Sequence, residues 1–547
     1  MNKVYVKDYG ILPNGEECCW EQLDKLIKET PDNSELIFEK GNYKVYHRLV
    51  IKNKKNFIFN GNGANFEAYY DPTSWEDNSR GLLLFDGCEN LEVKHLSIST
   101  SRRTCVAGKI VSVNKENATF QMELLEGCSL NGDEILMAAN SLDEDLSPDY
   151  KIVTYGPSEY KVLDSGTVEV KMPESVKGQI ENAKEGMIVV YRHTMYGSTV
   201  FNFVGCNDTF IDDIRIYEAP GIVSFAGGRG RNITYSRYVI KPREGREYLL
   251  GANADGIHVA GINGKFTLKD SYWAQLGDDA LNVHSMSCII TEINMEEGYI
   301  EAKDFSHARI NEKMGDSWCQ EGDRIFVYDN KTYFEAAHFT VKKRVGDRLY
   351  FEDLDGELKI GDNPVNDEMF PDVHIDNCTV KNTRARAFLL RTRNVVLENC
   401  HIYGMSLAAF LCALDLVRWG EVAASRNVVI RNNVIEKCGF IDSHVNYGAI
   451  NIRVNDDQAG LGDSIPGVHK DFVIEGNKII NCGASAVAAT AVDNIKIINN
   501  TFQGNGKETT DVKLDTKEYD IVLHNCANIT IDGNISDKPD DKWVRLS

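Results

Sequence analysis

Along the chain, short apolar runs recur between asparagines. Asn394-Val395-Val396-Leu397-Glu398-Asn399-Cys400, Asn427-Val428-Val429-Ile430-Arg431-Asn432-Asn433, Asn494-Ile495-Lys496-Ile497-Ile498-Asn499-Asn500 and Asn528-Ile529-Thr530-Ile531-Asp532-Gly533-Asn534 share one pattern, and weaker copies begin at Asn90, Asn232 and Lys265. Each copy reads as a strand of about five residues with alternate side chains facing one way, closed by a residue that tolerates left-handed backbone. Such a strand cannot bury its apolar face alone. Stacked at about 4.8 Å, the copies form parallel sheets around a continuous core, with Asn or Cys recurring at equivalent corners. The pattern therefore predicts an all-β fold, a parallel β-helix. A β-sandwich would call for short Asn-Gly hairpins and less regular corners.

Near the N-terminus the period changes. Trp20, Leu23, Leu26 and Ile27 fall on one side of a helix expected from about Glu21 to Thr30, stopped by Pro31-Asp32-Asn33. Such a helix would cap the open end of a solenoid, where strand edges are otherwise unpaired. Two stretches break the rhythm and read as β-rich insertions, the second barrel-like. The expected organisation is solenoid with its cap over 1–105, insertion over 106–199, solenoid over 200–285, insertion over 286–363 and solenoid over 364–547. Insertions of this kind crowd one face, often the binding face.

Composition narrows the partners. Of 547 residues, 60 are Lys or Arg and 82 Asp or Glu, a formal charge of −22 that repels nucleic acid and anionic membrane surfaces. The first residues lack the apolar stretch of a signal peptide and no window reaches a membrane span, so a cytoplasmic location is expected. The 14 cysteines show no C-x-x-C spacing and are read as mostly reduced and buried, without a zinc or redox motif.

The chemistry concentrates in the central coils. Asn253-Ala254-Asp255-Gly256-Ile257-His258 is followed by Gly277-Asp278-Asp279-Ala280-Leu281-Asn282-Val283-His284, so Asp278 and Asp279 lie 23 and 24 residues after Asp255. That is about one solenoid turn. Three carboxylates are then expected on one small patch, where crowding raises at least one pKa and keeps a carboxyl protonated near neutral pH. Glycoside hydrolysis needs that division between an acid for the leaving oxygen and a base for water. Calcium is a second reading of clustered carboxylates, and solvated turns a third. His258 and His284 read equally as site residues or as hydrogen-bonded packing residues.

The two motifs, in residues and spacing, resemble glycoside hydrolase family 110, the exo-acting α-1,3-galactosidases, as do Arg384-Ala385-Arg386-Ala387-Phe388-Leu389-Leu390 and the repeat from Asn427 to Asn433. The resemblance spans most of the chain. It implies a right-handed β-helix and an inverting hydrolase that removes terminal α-linked galactose from a neutral oligosaccharide or glycan, without metal or other cofactor. Asp278 would be the general acid, with Asp255 and Asp279 positioning and deprotonating water, roles borrowed from polygalacturonase-like enzymes. His258, Asn282, His284, Arg384, Arg386, Trp419 and Glu421 are candidates for holding the sugar, through hydroxyl hydrogen bonds and stacking on indole. Asp415, His444 and Tyr447 are weaker candidates. Ser285, where the family favours glycine, and the approximate Trp419-Gly420-Glu421 segment depart from its pattern and bear on sugar specificity.

Two alternatives stay open. A polygalacturonase-like hydrolase shares the aspartates but acts on a polyanion, which the net charge disfavours, and the sequence lacks an Arg-Ile-Lys segment for a uronate. A polysaccharide-binding β-helix without turnover would use the aspartates for calcium or for nothing. Homodimerisation is likewise open.

Overall fold

The structure, a computed structural model, describes all residues except 75–81, 165, 305–314, 316, 417, 441–447, 455–464 and 507–514. His444 and Tyr447 lie outside the described residues.

Successive coils stack into two long sheets, one of 21 strands and one of 13. Every pairing in the larger sheet is parallel. In the smaller one, the short strand Glu421–Val422 alone runs antiparallel, against Ser285 and Met286. The rungs keep register over long distances: Val373, Val395, Val428, Phe472, Ile495 and Ile529 stand one above another, as do Leu281, Phe388, Phe410, Ile450, Val487 and Ile521. These inward residues belong to one continuous apolar core running from Val6 to Leu523, with Ile529 packed against its end. The protein is thus the parallel β-helix that the repeated pattern predicts.

The corners explain the asparagines. Asn394, Asn399, Asn427, Asn432, Asn494, Asn499 and Asn528 all have φ between 51° and 61°, the left-handed region in which Asn is the most tolerant side chain. The residue that follows the second corner points inward. Asn433, Asn477, Asn500 and Asn534 form a buried ladder, each amide NH2 donating to the carbonyl oxygen of the next at 2.9–3.0 Å. A further rung at Asp471 to Asn477 uses Asp471 (φ 60°) and Gly476 (φ 65°) at the two corners, so the asparagine pattern did not reveal it. At the weak copy near Lys265 the left-handed residue is Gly264.

The capping helix spans Trp20–Glu29 and buries Leu23, Leu26 and Ile27 on the first coils. Its end is closed by Thr30, whose hydroxyl and N–H both donate to the Leu26 carbonyl, at 2.7 and 2.9 Å. A seven-stranded antiparallel sheet runs from Cys105–Asn114 to Ile188–Arg192, and a six-stranded one from Cys288–Asn294 to Asn363–Asn366. Each has its own apolar core. The ends of the second are tied together, Ile290 N–H donating to Asp362 O and Asn363 Nδ2 to Cys288 O. All 14 cysteines are unpaired and ten are buried. No helix among the described residues is long and apolar enough to cross a membrane.

Candidate functional site

The three aspartates stand where consecutive coils enter the smaller sheet. Gly256 N–H donates to Asp279 O at 3.0 Å and Ile257 N–H to Ala280 O at 2.9 Å, which places Asp255 directly over Asp279. One rung further, Ala280 N–H donates to Arg386 O, so Arg386 continues the same column. Two glycines permit this approach. A Cβ on Gly256 would lie 2.4 Å from Ala280 O, and one on Gly277 2.2 Å from Asn253 O. The spacing of 24 residues is therefore one rung, as the sequence predicts.

The electrostatics separate the three carboxyls. Burial pushes Asp279 up, Arg386 opposes, and the charges of Asp278 and Asp255 add to the rise, leaving it at about 7. Its oxygens accept from Arg386 N–H at 2.9 Å and face the Arg386 guanidinium at 3.4 Å. Asp278 moves the other way. Burial would raise it too, but Arg384 lies 2.8 Å from one oxygen, Tyr196 donates its hydroxyl to the other, and Arg192 stands nearby, so its pKa falls below the usual value. The surroundings thus favour the ionised form of Asp278 and the protonated form of Asp279. Asp255 is raised by burial, against a 2.7 Å contact to His258 Nδ1.

Arg384 and Arg386, expected to hold sugar, are committed to these carboxylates. Arg384 also donates to Gly277 O and to the Tyr155 hydroxyl, and its guanidinium sits 5.4 Å from the centre of the Tyr155 ring. Their chemistry here is to set the charge of Asp278 and Asp279.

Beyond His258, which contacts Asp255, lies a cleft of about 720 Å³ between the solenoid and the second insertion; none of the three aspartates lines it. The cleft is lined by His258, His284, Trp419 and Glu421 among the predicted residues, together with Phe225 and Trp318. Trp419 is 43 % exposed and Glu421 reaches the cleft because its strand pairs with Ser285 and Met286. Burial works against ionisation of Glu421, but His284, Arg391 and His258 hold it at about 2. Its Oε2 accepts from Arg391 and, at 3.3 Å, from Asn282 Nδ2. Asn282 is buried with its Oδ1 unpartnered, and it does not line the cleft. Asp415 is buried and accepts from the backbone N–H of Arg418 and Trp419, a turn-forming role.

Four neighbours escaped the sequence reading: Tyr155, Arg192 and Tyr196 come from or border the first insertion, and Arg391 follows a later strand. Arg192, 2 % exposed, donates through Nη1 to Asn253 O at 2.9 Å and Gly277 O at 3.1 Å, clamping both aspartate coils. Asn253 likewise ties its coil to the insertion, donating to Thr104 O and Thr194 O. Only the placement of tyrosines and an arginine in a long insertion hinted at these contacts.

Among the described residues, one group has side chains close enough to share an ion: His258, His284 and Glu421, with donor atoms within 4.8 Å of one another. The two rings face each other almost nitrogen to nitrogen, Nε2 to Nε2 at 2.9 Å with ring centres 5.0 Å apart. That is the line of an N–H···N hydrogen bond. A shared ion would draw both lone pairs to a third point off that line.

Fold and site together define a class: a parallel β-helix with a buried aspartate cluster beside a cleft large enough for a sugar. Comparison with known proteins adds particulars. The chain is 23% identical to Alpha-1,3-galactosidase A of Bacteroides fragilis, over 97% of its own length and 92% of that protein. It is 22% identical to Alpha-1,3-galactosidase B of Bacteroides thetaiotaomicron, over 79% and 75%. Among solved structures it is similar to a Family 28 exopolygalacturonase of Yersinia enterocolitica, at 10% identity and a TM-score of 0.47, covering 97% of this chain and 78% of that one. No family model matches.

Proposed function

We propose that this chain is an exo-acting, inverting α-galactosidase that cleaves terminal α-1,3-linked galactose from neutral glycans. The enzyme is a glycoside hydrolase, as its similarity to several proteins named alpha-1,3-galactosidase indicates. The observation that carries the mechanism is the unlike partnering of two adjacent carboxyls: Asp278 meets Arg384 and the Tyr196 hydroxyl, which lower its pKa, while Asp279 is buried beneath Asp255 with the Arg386 guanidinium only at 3.4 Å, which raises its pKa. Asp279 holds a proton at neutral pH and gives it to the glycosidic oxygen as the bond to the anomeric carbon breaks. Asp255 takes a proton from the attacking water, and ionised Asp278 stabilises the positive charge that develops on the sugar. His258, His284 and Glu421 present hydrogen-bonding groups for sugar hydroxyls, and Trp419 offers an indole for the apolar sugar face.

Pairing of both arginines with aspartates favours a neutral sugar over a uronate, whose carboxylate would need a cation of its own. A screen of nitrophenyl α- and β-glycosides tests the reading, with proton NMR of the first-formed anomer. We expect β-galactose from an α-galactoside. Release of galacturonic acid, of α-galactose, or of no sugar would each overturn it.

A further inference from the structure

His258 and His284 are arranged in a way that a hydroxyl-binding role leaves unexplained. His284 Nδ1 lies 2.9 Å from Ser285 O, a carbonyl that can only accept, so this nitrogen carries the hydrogen. Burial keeps the ring neutral despite Glu421 beside it, with a pKa near 4, so its Nε2 offers a lone pair. The hydrogen in the 2.9 Å contact between the rings then belongs to His258 Nε2. On the far side, His258 Nδ1 meets Asp255 Oδ2 at 2.7 Å. Asp255 and His258 therefore share one proton between them, whichever atom it is drawn on. The ordered line is Asp255, His258, His284, and then Glu421, whose Oε1 lies 3.8 Å from His284 Nε2.

We propose that His258 and His284 form a proton outlet for Asp255, passing the proton taken from the attacking water through two imidazoles to Glu421 and the cleft. The proposal rests on Asp255 being the base. At rest the Asp255–His258 pair holds one shared proton. When water attacks the anomeric carbon, its O–H bond breaks and the pair holds two. His258 then releases its Nε2 hydrogen to His284 Nε2, which leaves the water's proton on Asp255, the formerly shared proton on His258 Nδ1, and His284 as an imidazolium facing the Glu421 carboxylate. His284 in turn releases a proton to water in the cleft and Asp279 regains one from solvent; the His258 ring then turns to carry one of the two protons beside Asp255 back to the His284 side, which restores the resting arrangement and closes the turnover.

Asp255 needs such a route because it is 5 % exposed, whereas Glu421 opens on the cleft with a side chain 17 % exposed. The charged groups facing His258 are Asp255 on its own coil, Asp279 one rung on, and Glu421 from the crossing strand, with Arg391 behind Glu421. Phe225 covers it from the preceding rung, 6.1 Å between ring centres.

The experiment separates passing a proton from accepting a hydrogen bond. In His284→Gln the amide carbonyl still accepts from His258 but cannot carry a proton onward. We expect kcat on a p-nitrophenyl α-galactoside to fall on the order of tenfold to a hundredfold with KM little changed, and the pH profile of kcat to move. His284→Ala should regain activity with added imidazole, which the cleft can admit, and not with pyrrole, which has no basic nitrogen. Wild-type rates and profile in His284→Gln, no rescue of folded His284→Ala, or loss of wild-type activity on chelation of metal would each overturn the proposal. Nitrogen-15 NMR of the wild-type enzyme should find His284 as the neutral Nδ1–H tautomer at pH 7; the Nε2–H tautomer would overturn it. That readout holds even if the sugar assignment fails, so the two failures are distinguishable.

Discussion

The coils between residues 372 and 536 and those between 219 and 286 share the same rungs and treat buried polar groups in opposite ways. In the later coils the inward ladder from Asn433 to Asn534 is satisfied link by link, each amide donating to the next rung. In the earlier coils the stack places Asp255 over Asp279, a column of two carboxyls that Arg386 and His258 relieve, with Arg384 on the adjoining Asp278. One architecture therefore yields stability where stacked groups are complementary, and reactivity where they are alike. Substitutions in the two regions should move stability in opposite directions.

Asp279→Asn is the strongest test. Activity on an unactivated galactoside should fall by roughly 10²–10⁴, the size of a general-acid effect, and less on a dinitrophenyl substrate whose leaving group needs no proton. A larger leaving-group dependence in Asp278→Asn would return the acid role to Asp278. Stability should change in the other sense. Because Asp279 sits at about 7 when folded and lower when unfolded, the native state binds more protons between these values, so wild-type stability declines as pH rises toward 7. The neutral amide removes that penalty. Thermal unfolding at pH 8 should show the variant more stable by on the order of 1–3 kcal/mol, with the gap closing below pH 4.

Asn477→Ala should do the reverse. Asn477 is fully buried, accepts from Asn433 and donates to Ile430 O and Asn500 Oδ1. Removing it strands those partners, costing about 1–3 kcal/mol in denaturant unfolding while kcat and KM stay at wild-type values. Loss of activity without loss of stability would break the comparison between the two regions.

Much of this contrast was legible in the sequence, for a physical reason: both regions are periodic. Left-handed corners select Asn strongly enough to print the rungs on the chain, and a 24-residue spacing puts two aspartates in register. Legibility ends where other residues meet the same need, as at Asp471 and Gly476, and where the insertion between Ser287 and Asn366 interrupts the count. Arg386 belongs to the column of Asp255 and Asp279 but lies 107 residues after Asp279. Arg192 ends an antiparallel strand and Tyr196 lies in the bend that follows, so neither has a period to follow. The charge on Asp278 was illegible for a related reason, since Arg384 and Tyr196 bear on it and sequence spacing does not bring them there.

Tyr196 offers a smaller, sharper probe. Tyr196 is 57 % exposed, but its hydroxyl is turned in against Asp278, where loss of solvent around the oxygen and the Asp278 charge push its pKa up, so the hydroxyl stays protonated and donates. In Tyr196→Phe the ionised form of Asp278 loses a hydrogen bond and its pKa rises. The acid limb of the kcat/KM profile should therefore shift to higher pH, by up to about one unit, with a few-fold loss of rate near pH 5 and little change at pH 8. An unmoved acid limb would remove Tyr196 from the charge balance of the trio.

The smallest effect separates backbone from side chain at an exposed corner. Asn427 has φ 56°, and its amide donates to Asn394, which donates in turn to Asp372, both at the surface. Exposed hydrogen bonds exchange with water at little net cost, so the left-handed backbone should dominate. Asn427→Gly keeps that conformation accessible and should change stability by less than about 0.5 kcal/mol. Asn427→Ala keeps the Cβ but loses the short polar side chain that makes this conformation tolerable, and should cost about 1 kcal/mol more than the glycine variant. Equal stability of the two variants would mean that the repeated asparagines are kept for their ladder and not for their corners, reversing the physical account of why this fold is readable in its sequence.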